Sequence, residues 1–176
     1  MRSEIRRPRV LISAASGHGS TTEIARVIGE TLGDKGIDVD IVPPDYVDSV
    51  TDYDAVVLGS AVYMGHWLVP ARDFVARFRD QLGARSLWLF STGPVGDPAR
   101  KLVQSMKQDP VEIAEIIRDT HPQDHRVFAG RLDPQLLSLP QRAWSLAFRG
   151  MDGDFRDWAE IRQWADGIAA DLTARR

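Results

Sequence analysis

The sequence predicts an α/β fold, a three-layer sandwich on a five-stranded parallel sheet of strand order 2-1-3-4-5. Three observations carry that expectation. Apolar runs of strand length alternate with stretches of helical periodicity, which implies a parallel sheet with right-handed crossovers. The runs from Arg9 to Ala14, Ala55 to Leu58 and Ser86 to Phe90 lack polar alternation, as strands buried on both faces do. Small polar residues and glycines follow each of the three. Sheets of this order bind ligands there, outside the carboxyl ends of the strands at the switch point between strands one and three.

The elements follow in order. After the first strand, Ile24, Val27, Ile28 and Leu32 fall on one helical face. Ser20 and Glu23 have the spacing of a capping box, so the helix is expected to begin immediately after Ser20 and to end at Gly33 and Gly36. Ile37 to Val42 alternates strictly and reads as an edge strand stopped by Pro43-Pro44. The third strand, Ala55 to Leu58, opens onto a loop from Ala61 to His66, and a helix bearing Phe74, Val75, Phe78 and Leu82 follows. The fourth strand, Ser86 to Phe90, opens onto Ser91 to Asp97. Pro98 to Arg118 reads as one or two helices interrupted at Asp109-Pro110. Arg126 to Gly130 is the fifth strand, and Gln135 to Arg149 an amphipathic helix. Asp154 is expected to cap a last helix with Phe155, Trp158, Ile161, Trp164, Ala165, Ile168 and Leu172 on its buried side.

Length and composition narrow the classes. At 176 residues, with 43% hydrophobic and 27% charged residues, the chain reads as a single domain over 1–176. A net charge of -3 does not suggest a nucleic-acid binder. The absence of cysteine excludes thiol catalysis, disulfides, iron–sulfur clusters and cysteine-ligated zinc. No apolar run approaches the ~20 residues of a membrane-spanning helix. Val10-Leu11-Ile12 is too short for a signal peptide core, so a cytoplasmic protein is expected.

Three loops could carry chemistry. Ser16, Gly17, His18, Gly19, Ser20 and Thr21 lie at a strand-to-helix junction, where unpaired backbone N–H groups and the helix dipole bind phosphate without lysine. The glycines let the backbone curl toward a ligand, and the hydroxyls add donors. A P-loop would need Gly-Lys before the Ser/Thr, and a dinucleotide loop would need glycine where Thr22 stands. Taken alone, the loop is equally an ordinary capped turn. Ser60, Ala61, Val62, Tyr63, Met64, Gly65 and His66, with Trp67, offer backbone and aromatic surface for a flat heterocycle. Ser91, Thr92, Gly93, Gly96 and Asp97 offer a second wall. Core packing is the alternative for Tyr63 and Trp67, a local cap or surface position for His66, and helix capping for Asp97. His121 and His125 share an i, i+4 spacing, but Pro122 between them argues against a helix, and no metal site is expected. Gly-x-Ser-x-Gly is absent, which removes the usual hydrolase signal.

With these loops in place, the sequence resembles the flavodoxin-like family, and within it the branch containing menaquinone-dependent protoporphyrinogen IX dehydrogenase. The resemblance is carried by Ala15 to Ala25, by Tyr53 to Trp67, and by Val127 to Asp133 with Asp157-Trp158. Met64 stands where that branch usually has an aromatic ring, and Tyr63 where arginine is common. The resemblance implies one non-covalent FMN held by the three loops. It also implies electrons passing from a reduced substrate to a quinone-type acceptor or a redox partner protein.

No side chain is singled out as catalytic, because the flavin itself accepts hydride. The rival class is an electron carrier with no substrate of its own. Such carriers are usually strongly acidic, whereas here Asp97 is the one carboxylate within the loops, so the potential is expected to be less depressed. The helix near Trp144 leaves three roles open: a core element, a homodimer contact, or a peripheral membrane and quinone surface.

Overall fold

A computed structural model describes residues 6–93, 109–132 and 153–175. Its principal strands are β1 (Arg9–Ala15), β2 (Asp38–Ile41), β3 (Ala55–Tyr63), β5 (Ser86–Thr92) and β6 (Asp124–Phe128). They form a parallel sheet in the order β2-β1-β3-β5-β6. With the two-residue β4 (His66–Trp67) set aside, this is the 2-1-3-4-5 order read from the sequence. The helices are α1 (Ser20–Asp34), α2 (Val69–Gly83), α3 (Ile113–Thr120) and α4 (Trp158–Ala174).

The side-chain period of two divides the sheet into two cores. Val10, Ile12, Val57 and Phe90 face α1 and α4, meeting Ile24, Ile28 and Leu32 on one helix and Ile161, Trp164 and Ile168 on the other. Leu11, Val56, Leu58 and Leu89 face α2 and α3, meeting Phe74, Phe78, Leu82, Ile113 and Ile116. Gly59 is required by close approach. A Cβ there would lie 2.1 Å from the Phe90 ring, so the ring occupies the volume that a side chain would fill.

Several local expectations are corrected. The capping box does not form: the N-cap of α1 is Gly19, with φ 86°, and no side chain caps the helix. A glycine reaches this left-handed conformation without the Cβ penalty, and Ser20 moves one place into the helix. The segment from Ala61 to Tyr63 is strand, not loop, because Met64 (φ 52°) and Gly65 (φ 80°) make a two-residue reversal that pairs β3 with β4. Ser91 and Thr92 likewise end β5. The fifth strand starts at Asp124 rather than Arg126 and ends at Phe128.

Asp154 does not cap the last helix. It lies in β8 (Gly153–Asp154), antiparallel to β7 (Arg131–Leu132). Asp157 caps α4 instead, accepting from the N–H groups of Ala159 and Glu160, each at 3.0 Å. Phe155 and Trp158 are only partly buried. The helical stretch from 98 to 108 and the helix from 135 to 149 lie outside the described residues.

Candidate functional site

Parallel pairing aligns the three loop-bearing strand ends. Ala15 is the register partner of Ser60, and Ser60 of Ser91, so the segments after β1, β3 and β5 emerge side by side on one edge. Of the expected site residues, Ser16 to Thr21, Ser60 to His66 and Ser91 to Gly93 are brought to that edge, while Gly96 and Asp97 lie outside the described residues.

The first segment is an exposed cradle. The Gly19 N–H donates to Ser16 Oγ at 2.9 Å, closing the loop on itself. Gly17, His18 and Gly19 are exposed, and a Cβ added to Gly17 would meet nothing within 4 Å. The amides of the first helical turn have no preceding turn to receive them and lie at the positive end of α1. This donor set has hydroxyls and amides but no lysine. It suits the phosphate of FMN, the cofactor bound by members of the family reported below.

The hydroxyls divide into two groups. Ser20 Oγ accepts from the Arg131 N–H at 3.3 Å, which leaves its own proton available to donate. Thr21 is turned inward: it is buried, with its hydroxyl 2.7 Å from that of Thr92. Ser60 is also buried, donating to the Ala61 carbonyl and accepting from the Leu68 N–H. Ser91 accepts from the Trp67 indole N–H at 2.8 Å and lies 2.9 Å from His125 Nε2. An indole can only donate, so Ser91 Oγ is the acceptor in its pair with Trp67. Burial pushes the His125 pKa down, against the opposing charges of Asp109 and Asp124. These inward hydroxyls pin the β4 segment and β5 to the sheet. Trp67 itself is fully buried, a core residue rather than a ligand wall.

The reversal after β3 is the exposed part of the second segment. Tyr63 and Met64 stand out from the surface at 53% and 70% exposure. Gly93 closes the third segment, donating its N–H to the Phe128 carbonyl. A cavity of about 400 Å³ lies elsewhere, between β6 and α4 and lined by Trp88, Asp124 and Trp164.

Glu112 is a residue that loop-by-loop reading missed. It comes from 46 positions beyond His66, and its Oε1 lies 2.7 Å from His66 Nδ1. Its Oε2 accepts from the Trp67 N–H, and Arg72 lies 3.4 Å from Oε1. Burial opposes its ionisation, but the hydrogen bonds from His66, its own backbone N–H and the Trp67 N–H outweigh that. The carboxyl is held below its ordinary pKa. The adjacent Val111 N–H donates to the Gly65 carbonyl, so the segment leading into α3 holds the reversal at two points. Nothing in the loop sequences signals this contact. Among the described residues no group of three or more His, Cys, Asp or Glu could hold a metal, and no helix is long and apolar enough to cross a membrane.

The doubly wound parallel sheet in the order β2-β1-β3-β5-β6 defines a class, the flavodoxin-like α/β proteins. The chain belongs to the flavodoxin domain family, whose model matches residues 11–155. A flavodoxin from the domain Archaea superposes with a TM-score of 0.60 at 18% identity, over 94% of this chain and 99% of that one. Rubredoxin oxygen:oxidoreductase from Desulfovibrio gigas gives 0.62 at 17% identity, over 96% of this chain and 37% of that one. The Streptococcus pneumonia TIGR4 flavodoxin gives 0.54 at 18%, over 96% and 99%. At these identities the likeness is one of fold. No curated protein matches the sequence.

Proposed function

We propose that this chain binds one FMN at the edge formed by Ser16–Thr21, Tyr63–His66 and Gly93, and transfers electrons through it. The observation that carries the reading is the exposed, lysine-free cradle at the start of α1, with Tyr63 and Met64 exposed on the same edge. When bound, the flavin supplies the redox chemistry, accepting and releasing electrons. The protein's part is binding and orientation. Amides of Ser20 and Thr21 and the hydroxyl of Ser20 donate to the phosphate, and the reversal at Met64-Gly65 presents backbone groups to the ring system. The buried pairs Thr21–Thr92 and Ser91–Trp67 keep the three segments in register.

Within that reading we place the protein as an oxidoreductase that passes electrons from a reduced substrate to a quinone-type acceptor. The support is the resemblance of Ala15–Ala25 and Tyr53–Trp67 to the protoporphyrinogen dehydrogenase branch. The second reading, an electron carrier with no substrate of its own, is favoured by Glu112, which puts a carboxylate against the reversal that the loop sequences lack.

The test begins with the visible spectrum of the purified protein. A yellow protein whose FMN affinity falls on Ser16→Ala supports the cofactor assignment, and one that stays colourless with added FMN overturns it. Anaerobic reduction, followed by menadione, other quinones, protein acceptors and a parallel protoporphyrinogen assay, separates the two roles. Multiple turnovers with a small-molecule pair mark the enzyme; exchange only with proteins marks the carrier.

A further inference from the structure

The start of α1 carries a charge of the wrong sign for its ligand. Glu23 lies in the first turn, where an acid favours the bare helix but repels a bound phosphate. It does not stand alone. The guanidinium of Arg156, only 3% exposed, is held between Glu23 and Asp154. Arg156 Nε and Nη2 take the two oxygens of Asp154 at 2.8 and 2.6 Å, while Nη1 takes Glu23 Oε2. The guanidinium also lies 4.4 Å from the centre of the Trp158 ring. Asp154 is the register partner of Arg131, and the Arg131 N–H is the donor on Ser20 Oγ. One buried arginine therefore does two things at this helix end. It cancels the Glu23 charge, and through β8 and β7 it holds the amide that leaves the Ser20 proton available to donate. Without Arg156 the Glu23 carboxylate loses its ion-pair partner, beside a dianion.

We propose that Arg156 is a positioning residue for the phosphate end of the site, making the first turn of α1 able to accept an anion by neutralising Glu23 and by fixing the donor on Ser20. The inference rests on the FMN reading above, and it predicts discrimination between flavins that do and do not carry the phosphate.

The test titrates the full chain, freed of flavin, with FMN and with riboflavin, following fluorescence quenching. The variants are Arg156→Gln, Arg156→Lys, Glu23→Gln and the double variant. For Arg156→Gln, FMN affinity is expected to fall roughly five- to thirtyfold, while riboflavin affinity changes less than about twofold. Arg156→Lys should recover part of the loss. Glu23→Gln alone should leave FMN affinity unchanged or raised, and in the double variant it should restore most of what Arg156→Gln lost. An equal loss for both flavins, or a loss in Glu23→Gln as large as in Arg156→Gln, overturns the proposal and makes the pair a clamp only. Should Arg156→Gln fail to fold, Glu23→Gln decides alone, since any fall in its preference for FMN over riboflavin overturns the idea. A wild-type chain that binds neither flavin overturns the FMN reading and this inference together. FMN binding with an unchanged preference in Arg156→Gln overturns only the inference.

Discussion

His66 Nδ1 lies 2.7 Å from Glu112 Oε1, joining the reversal after β3 to the start of α3 across 46 residues of chain. The pair fixes an otherwise exposed turn at the edge proposed to hold the flavin ring, and it brings a carboxylate with a lowered pKa to that edge. Glu112→Gln keeps the size of the side chain and removes its charge. The bound flavin is then expected to become easier to reduce, by roughly 20–60 mV for one charge at intermediate dielectric. Potentiometric titration of the holoprotein checks this, and a potential that is unchanged or more negative would refute it.

Thr21 and Thr92 share one buried hydrogen bond, 2.7 Å between hydroxyls. Thr21→Val strands the Thr92 hydroxyl and should cost about 1–3 kcal/mol of stability, whereas Thr21→Val with Thr92→Val should recover most of that. Because the Thr21 hydroxyl faces inward, FMN affinity should respond more to Ser16→Ala than to Thr21→Val. Urea denaturation and flavin titration on the same three proteins distinguish the effects.

His125 is partly buried and that burial depresses its pKa, so the folded state prefers it neutral. Its contribution to stability is fully present above the ordinary histidine value of about 6.5 and is lost as pH falls through the lower folded value. The depressed carboxyls Glu112, Asp124 and Asp154 act in a separate, more acidic window, beginning near pH 4.5 and below. Denaturation midpoints between pH 7.5 and 5 should therefore decline in the wild type and flatten in His125→Gln. Parallel slopes in the two proteins would show that another group is responsible.

Gly59→Ala places a methyl group in the volume of the Phe90 ring. Phe90 is fully buried against Phe128 and Trp164, so it has little room to move. A loss of about 1–3 kcal/mol is expected. Gly33→Ala, where a Cβ meets nothing within 4 Å, should be neutral or mildly stabilising in the same thermal scan.

The alternation of strands and helices could be read from local pattern, and the strand order, with three loops on one edge, was expected as the common arrangement of five such strands. Continuous apolar runs such as Val10-Leu11-Ile12 and Ala55 to Leu58 report burial on both faces, and helical spacing such as Ile24, Ile28 and Leu32 reports a face. Both signals are periodic and short-ranged, so a single chain displays them. Local chemistry misled where two local solutions compete for one residue. Ser20 and Glu23 have the spacing of a capping box, yet Gly19 takes the cap, Arg131 takes Ser20 and Arg156 takes Glu23. Asp154, the expected cap, pairs with Arg131 instead, and Asp157 caps the helix.

What only the tertiary structure decided is which atoms face the ligand and which are consumed inside. Ser60, Ser91 and Thr21 look like ligand donors in sequence, but Leu68, Trp67 and Thr92 engage them because a buried hydroxyl left unpaired would cost more than the fold can spare. Glu112 and Arg156 look like ordinary surface charges, and packing brings them to the reversal and to the helix start from 46 and 133 residues away. Charge acts through space and not along the chain, so the sequence by itself determined the scaffold and the edge on which the three segments meet. The fold determined the electrostatics of that edge.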